Sequence, residues 1–215
     1  MNNKVKNIVF DFGGVVVTLD HNEAVRRFAA LGLENAAEQL NPYTQGGIFG
    51  ELELGNISAE VFIEKLSGLC HRQLSYDECL HAWLGYRKEL PQRNLDAIVR
   101  LREEGHRVIL LSNTNPFMMK WALSNDFDGK GHSVAHYFDA LYLSYKMGVM
   151  KPNETFFRTM LMMERILPAN TLFVDDGPRN VAAASQLGIR TFCPENGEDW
   201  TKEIYNYINK VNKDF

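Results

Sequence analysis

The sequence predicts an α/β fold in which helices cover both faces of a parallel sheet. Two observations predict it. From residue 91 onward, short apolar runs alternate with segments of helical periodicity, and this alternation is typical of β-α-β units with right-handed crossovers. Residues 8–10 form a further apolar run, typical of a strand that is buried on both faces. We assign this early strand to the same sheet.

The predicted sheet has five strands. They are the apolar runs at residues 8–10 (preceded by Val5), 108–111, 140–143, 172–174 and 189–192. The helices predicted between and after them cover residues 94–104, 117–123, 154–166, 180–187 and 200–211. Gly105 directly follows the first of these helices and is a typical helix end. The polar, glycine-containing stretch 124–136 is predicted to be a surface excursion.

Residues 18–90 have a different pattern, which is helical with no convincing strand. A helix over residues 22–31 has Asn22 as its candidate N-cap. We therefore predict a core made of residues 1–17 and 91–215, with residues 18–90 inserted after the first strand as a helical domain. Within this insert, residues 46–49 have two interpretations: a mobile loop that reads the substrate, or an ordinary helix connection.

The composition is that of an ordinary globular protein. The chain has 215 residues, of which 45% are hydrophobic, and a formal net charge of −4. This charge argues against nucleic acid or an anionic membrane as the main partner, and no apolar run approaches the length of a membrane span. Cys70, Cys79 and Cys193 show no CxxC spacing, so we expect free thiols rather than a disulfide frame or a zinc site. We expect a cytoplasmic protein.

Polar residues follow several of the predicted strands. Asp11 ends the first strand and is followed by Gly13 and Gly14, and the pair Asp175 and Asp176 ends the fourth. Each feature alone also fits an ordinary turn. However, the carboxyl ends of parallel strands meet at one edge of a sheet, which is where open α/β folds bind their ligands. Carboxylates gathered there would repel one another unless a cation lay among them.

Two further polar segments complete the pattern. Ser112 and Asn113 follow the second strand, and Lys151 precedes Pro152 at the start of a predicted helix. A Ser-Asn turn is commonly a helix cap, and a lysine before proline is usually solvated. In order and position, the four segments resemble the four motifs of the haloacid dehalogenase-like (HAD) hydrolase superfamily.

The resemblance covers almost the whole chain. It implies a three-layer, Rossmann-like core with a five-stranded parallel sheet, and an inserted α-helical cap of the C1 type at residues 18–90. The opening Asp-Phe-Gly-Gly-Val and the turn Leu-Ser-Asn-Thr-Asn are similar to the branch that contains α-glucose-1-phosphate phosphatase and the phosphatase domain of soluble epoxide hydrolase.

The family resemblance also implies roles for individual residues. Asp11 would be the nucleophile that forms an aspartyl-phosphate intermediate. Ser112 and the backbone N–H of Asn113 would bind the phosphoryl group, and the Lys151 ammonium would neutralise both the phosphate and the nucleophile.

The same resemblance implies a magnesium site. Its ligands would be the carboxylates of Asp11 and Asp176 and the carbonyl of Gly13, with water and phosphate completing the octahedron. Asp175 would contact the groups around the ion without binding it, or would reach the ion through a water molecule. A carboxylate can attack a dianionic phosphate only when metal and lysine offset the repulsion.

One position departs from the family pattern. Most phosphatases of the family carry an aspartate as general acid and base where this chain has Gly13, and such help is typically worth about 10²–10⁴-fold. The α-glucose-1-phosphate phosphatases that this opening resembles also have glycine there, so we expect activity to be retained. We expect a preference for leaving groups that need little protonation, such as those of sugar 1-phosphates. Asp20 and His21 are the nearest candidates for a replacement group, unless they are cap or packing residues.

The predicted function is therefore Mg²⁺-dependent hydrolysis of a small phosphomonoester, a sugar phosphate being favoured. The expected partner is a small phosphorylated metabolite, and the expected assembly a monomer or weak homodimer. Two alternatives stay open: a dehalogenase that hydrolyses carbon–halogen bonds, and a catalytically idle HAD fold that serves as a binding module. The Asp175–Asp176 pair argues against the first, whereas Gly13 is the only support for the second.

Overall fold

A computed structural model describes residues 4–40 and 46–213 of the chain. Its centre is a parallel sheet of five strands in the order β5-β4-β1-β6-β7. The five strands of this sheet are β1 (Asn7–Phe10), β4 (Arg107–Ser112), β5 (Ala140–Leu143), β6 (Thr171–Val174) and β7 (Arg190–Phe192). The other two strands, β2 (Thr18–Leu19) and β3 (Arg87–Glu89), pair with each other in a separate sheet. The predicted fold class and all five predicted strands are confirmed.

Helices lie on both faces of the sheet. In chain order they are α1 (His21–Ala30), α2 (Ala36–Gln39), α3 (Gly47–Glu53), α4 (Ala59–Leu69), α5 (Tyr76–Trp83), α6 (Gln92–Glu103), α7 (Pro116–Ala122), α8 (Ser144–Met147), α9 (Glu154–Glu164), α10 (Pro178–Gln186) and α11 (Glu203–Lys213). Short 3₁₀ helices cover Leu84–Tyr86, Val134–His136 and Pro168–Asn170.

Alternate residues of the strands point to opposite faces, which gives three layers. On β1, Phe10 belongs to a hydrophobic cluster that includes Trp200 and Ile204, whereas Val9 belongs to a separate cluster with Phe156 on α9. Trp200 is fully buried and donates its Nε1–H to the carbonyl of Val15 over 2.8 Å. Both faces of the sheet are therefore covered, as strands with continuous apolar runs require.

Helices α1 to α5 and the 3₁₀ turn after them form the insert that follows β2. They have their own hydrophobic cluster, in which Phe28, Phe49, Phe62 and Trp83 pack ring against ring. Phe117 at the start of α7 joins this cluster. The insert therefore packs on the core through helix α7.

The structure corrects the prediction that residues 18–90 contain no strand. β2 and β3 pair antiparallel at the two ends of the insert and form a two-stranded ribbon. β3 consists of Arg87, Lys88 and Glu89, which are all exposed, so no apolar alternation marks it in the sequence. Its backbone pairing with β2 defines the strand.

Three local predictions also change. Asp20, and not Asn22, is the N-cap of α1, because its Oδ1 accepts the N–H of Glu23 over 3.0 Å. Residues 47–49 form the first turn of α3, so the loop interpretation of this segment is wrong. The last helix begins at Glu203 and not at residue 200. The three cysteines are free, as predicted, and no helix in the described part of the chain is both long and apolar enough to cross a membrane.

Candidate active site

The polar residues that end the central strands meet along one cavity. Asp11 follows β1, Ser112 ends β4 and Asp176 follows β6, and these three strands are neighbours in the sheet. All three side chains line a cavity of about 880 Å³ whose opposite wall belongs to the insert. This volume lies within the usual range for small-molecule sites. The convergence predicted at the carboxyl edge of the sheet is therefore present.

Lys151 is the buried cation of this site. Its Nζ lies 2.8 Å from Oδ1 of Asp11 and 2.7 Å from Oδ2 of Asp175, and its side chain has no exposed area. The Asn113 amide fixes the Lys151 backbone in both directions: Nδ2 donates to the Lys151 carbonyl, and Oδ1 accepts the Lys151 N–H, each over 2.8 Å. The prediction for Asn113 concerned its backbone N–H only, and the amide contacts were not predicted.

The two adjacent aspartates after β6 have different surroundings. Asp175 is fully buried, and its Oδ1 accepts the N–H of Gly177 over 2.7 Å and Nδ2 of Asn180 over 3.0 Å. Its Oδ2 accepts Nζ of Lys151. Asp176, by contrast, lines the cavity and is partly exposed. Asp175 therefore holds other groups in place, whereas Asp176 offers its carboxylate to the cavity.

The three aspartates suit a divalent cation. One oxygen from each of Asp11, Asp175 and Asp176 lies within 4.8 Å of the others, and this is the only such group in the described residues. Burial, and then the charge of Asp175, raises the pKa of Asp176 to about 6. Burial and the two neighbouring carboxylates also raise the pKa of Asp11, although Lys151 partly offsets this. Mg²⁺ prefers hard oxygen ligands, and its positive charge would offset the repulsion between these carboxylates.

The turn after β1 brings Asp11 into position. The N–H of Phe12 donates to Oδ1 of Asp11 over 2.7 Å, the same oxygen that contacts Lys151. Gly13 lines the cavity, and Gly14 takes a φ of 79°, which favours glycine. Because both contacts of Asp11 use Oδ1, its second oxygen is left to face the cavity or a metal.

Neither candidate for a replacement acid is part of this cavity. Asp20 caps α1, and the ring of His21 packs against the ring of Tyr86 with centroids 5.8 Å apart. Neither is among the described residues that line the cavity. Both are therefore cap and packing residues, which was one of the two interpretations of the sequence.

Sequence reasoning missed an acidic residue on the opposite wall. Glu53, at the end of α3, lines the cavity and accepts a hydrogen bond from the side chain of Asn115. Burial raises the pKa of Glu53 to about 7, and the Asn115 contact offsets only part of this rise. One signal pointed to it: Glu53 lies four residues after Phe49, on the same side of the helix as a buried aromatic ring.

Comparison with known proteins identifies the family. A family model described as haloacid dehalogenase-like hydrolase matches residues 5–188. The chain belongs to this family. The predicted superfamily is therefore confirmed, as is the HAD-like fold.

Similar proteins align with nearly the whole length of this HAD-like chain. A D-ribitol-5-phosphate phosphatase from Bacteroides thetaiotaomicron is 48% identical, with 95% of this chain and 99% of the relative aligned. A HAD-like hydrolase from Porphyromonas gingivalis has a solved structure with a TM-score of 0.91, 41% identity, and 95% and 98% of the two chains covered. The predicted enzyme class, a phosphoric monoester hydrolase, is the class of the first relative, and the prediction is confirmed at that level.

A third relative was crystallised with ligands. It is a HAD family enzyme from Bacteroides thetaiotaomicron in complex with magnesium and inorganic phosphate. Its structure gives a TM-score of 0.85 at 34% identity, with 93% of this chain and 98% of that chain covered.

Proposed function

We propose that this chain is a Mg²⁺-dependent phosphatase that hydrolyses small phosphomonoesters of sugars and polyols through an aspartyl-phosphate. The observation that carries the proposal is the position of Lys151, buried between Asp11 and Asp175 with Asp176 beside them. A buried cation and a set of carboxylates at one strand edge suit an anion that a carboxylate must attack. The 48% identical relative is named for a polyol phosphate.

Asp11 acts as the nucleophile. Its carboxylate oxygen forms a bond to phosphorus while the ester P–O bond breaks, and the bonding electrons leave with the alcohol oxygen, which takes up a proton. Water then attacks phosphorus, so that inorganic phosphate leaves and the carboxylate is regenerated. Lys151 holds positive charge beside the attacking oxygen, and Ser112 and the N–H of Asn113 hold the phosphoryl oxygens.

Asp11, Asp176 and the carbonyl of Gly13 would hold the Mg²⁺ ion. When bound, the ion supplies positive charge that offsets the repulsion between the carboxylates and the phosphate. Asp175 positions Lys151 and does not bind the ion directly, because Lys151, Gly177 and Asn180 already occupy its oxygens.

The name of the relative supports one class of substrate, and the glycine at position 13 suggested another. Ribitol 5-phosphate, named for the relative, is an ester of a primary alcohol, whose leaving oxygen needs a proton. We therefore favour a polyol or sugar phosphate of this kind over the sugar 1-phosphates that the absence of an acid at Gly13 suggested. The proton then comes from a group other than residue 13.

The insert would act as the cap of this enzyme. We propose that residues 18–90 form the cap and that residues 1–17 and 91–215 form the core. The separate hydrophobic cluster of the insert and the ribbon of β2 and β3 at its base support this division. A cap that closes the cavity would exclude water and select the substrate. The cytoplasmic location and the monomeric or weakly dimeric state remain predictions.

Phosphate release from ribitol 5-phosphate tests the proposed function. We expect release with Mg²⁺, loss of release with EDTA, and loss in the variant Asp11→Asn. Asp126→Asn, in an exposed loop, is the matched control and should retain activity. Halide release from a 2-haloacid without Mg²⁺ would favour the dehalogenase alternative. A folded wild-type protein that is inactive on a panel of phosphorylated metabolites would favour the idle binding module.

A further inference from the structure

Helix α3 brings one carboxyl group into the cavity wall. Phe49, Gly50 and Glu53 of this helix line the cavity. Among the described lining residues of the insert, Glu53 is the one with a charged side chain. The other lining residues of the insert are Leu19, Gln39, Leu40, Phe49, Gly50, Leu54, Trp83 and Tyr86. In the described part of this wall, a single acid therefore lies among mainly apolar and aromatic side chains.

The end of α3 is seated directly on the core. Gly55, two residues after Glu53, has a φ of 73°, and a Cβ atom there would lie 2.0 Å from the carbonyl oxygen of Tyr145. Tyr145 belongs to α8, which follows strand β5 of the central sheet. This close approach of two backbones fixes where the last turn of α3, and with it Glu53, lies above the cavity.

Asn115 fixes the carboxyl group itself. Its Oδ1 accepts the N–H groups of Phe117 and Met118, each over 3.1 Å, as the N-cap of α7. This use of Oδ1 determines the orientation of the amide and leaves its NH₂ to donate to Glu53. Glu53 is thus held by an uncharged donor of the core, and a carboxyl group has further lone pairs for a second donor.

The two sides of the cavity differ in the cations that they carry. The core side carries the Lys151 ammonium, which attracts the phosphoryl group, whereas no described lining residue of the insert has a basic side chain. The organic part of the substrate therefore faces the insert, where aromatic rings contact carbon chains and an acid accepts hydroxyl groups. A site built to hydrogen-bond a hydroxyl discriminates strongly against a compound that lacks it.

We propose that Glu53, held by Asn115 in the wall opposite Lys151, hydrogen-bonds a hydroxyl group of the substrate and so selects polyhydroxylated phosphate esters. This inference rests on the proposed phosphatase function and specifies which residue binds the organic part of the substrate. In this proposal Glu53 is a specificity-determining residue.

Two substrates separate recognition from chemistry. Ribitol 5-phosphate and propyl phosphate are both esters of primary alcohols, so both leaving oxygens need a proton. Only ribitol 5-phosphate has hydroxyl groups along its carbon chain. In Glu53→Met, which has no strong acceptor, we expect the ratio of their kcat/KM values to fall about 10- to 100-fold. The kcat/KM for propyl phosphate itself should stay within about threefold of wild type.

Two further variants serve as controls. Glu53→Gln keeps one oxygen acceptor and should retain part of the preference. Glu51→Gln, on the exposed side of the same helix, should behave as wild type. Thermal unfolding of each variant establishes that it is folded.

The other outcomes would overturn the inference. An equal loss on both substrates in Glu53→Met would assign Glu53 to the chemical step or to the placement of α3. An unchanged ratio would mean that other groups of the protein recognise the hydroxyl groups of the substrate. A wild-type enzyme that hydrolyses propyl phosphate as efficiently as ribitol 5-phosphate would refute the role of Glu53 and leave the phosphatase function intact. A wild-type protein inactive on both would refute the proposed function, and this inference with it.

Discussion

The backbone of Gly14 lies directly against the carboxylate of Asp176. A Cβ atom at position 14 would lie 2.0 Å from Oδ2 of Asp176, which is far inside van der Waals contact. The turn after β1 and the loop after β6 therefore meet without space for a side chain, although 162 positions separate the two residues in the sequence. The second glycine of the opening motif is required by this contact as well as by its φ of 79°.

Gly14→Ala should consequently inactivate the enzyme. The added methyl group displaces the Asp176 carboxylate from Asp11, so we expect Mg²⁺-dependent kcat/KM to fall by at least about 100-fold, equivalent to about 3 kcal/mol. Backbone strain at the positive φ adds about 1–2 kcal/mol of lost stability. Phosphate release and urea unfolding measure the two effects separately.

Gly105 offers a matched control for this substitution. Its φ is 89°, and a Cβ atom there would have no neighbour within 4 Å. Gly105→Ala should lose similar stability and keep its activity. Equal loss of activity in both variants would show that strain, rather than the contact with Asp176, is responsible.

The two aspartates after β6 should respond differently to the same substitution. Asp176→Asn removes a proposed metal ligand, so the Mg²⁺ concentration for half-maximal activity should rise at least about tenfold. Asp175→Asn instead removes one carboxylate partner of the buried Lys151, which should lower the free energy of unfolding on the order of 3 kcal/mol without Mg²⁺. Magnesium titrations and urea unfolding of both variants check this. The reverse pattern would exchange the roles of the two residues.

Much of the site was predictable because its signals are local. Asp11 and Asp176 follow recognisable buried strands and Ser112 ends another. Parallel topology then brings the ends of these strands together. The strands themselves were predictable because a sheet covered on both faces needs continuous apolar runs.

The remaining features depend on contacts between distant parts of the chain. The ribbon of β2 and β3 consists of two short segments, one of them exposed and charged, and only their pairing makes them strands. The hydrogen bonds between the Asn113 amide and the Lys151 backbone depend on the direction of a side chain in a loop. Helical spacing puts Glu53 on the same side of α3 as Phe49, but its position in the cavity depends on the close approach of Gly55 to the carbonyl of Tyr145, which the sequence pattern does not encode.

Glu53 should give the protein a distinctive pH dependence of stability. Its pKa is raised from 4.5 to about 7, chiefly by burial, so the unfolded state releases this proton at lower pH than the folded state. Between about pH 4.5 and 7 the unfolded state binds fewer protons, and stability falls as pH rises. Glu53→Gln should remove this loss. The free energy of unfolding of Glu53→Gln, minus that of wild type, should therefore increase between pH 5 and pH 8.5, by up to about 3 kcal/mol.

Urea unfolding in EDTA at the two pH values measures this difference. Tyr86 faces Glu53, and burial followed by the charge of Glu53 raises the pKa of this tyrosine, so it stays neutral throughout the range. Asp11 and Asp176 titrate in both proteins, and their contribution cancels in the comparison. A difference that does not change with pH would mean that Glu53 is not desolvated in the folded state.

Position 13 allows the missing acid to be restored. Gly13 does not have a positive φ, and a Cβ atom there would lie 2.8 Å from Cδ1 of Leu19, the far end of a flexible side chain. An aspartate should therefore fit when Leu19 is shortened, as in the double variant Gly13→Asp, Leu19→Ala. If proton delivery to the leaving oxygen limits hydrolysis, kcat for propyl phosphate should exceed that of Leu19→Ala alone by at least about tenfold.

A substrate whose leaving group needs no proton isolates this effect. With p-nitrophenyl phosphate the same double variant should show no gain, because the nitrophenolate leaves as an anion at neutral pH. Gly13→Asn with Leu19→Ala fills the same space without an acid and should gain on neither substrate. A gain on both substrates would point to altered packing beside Leu19. A gain on neither would mean that the native cavity already delivers the proton without residue 13, in which case glycine at this position costs the enzyme nothing in the chemical step.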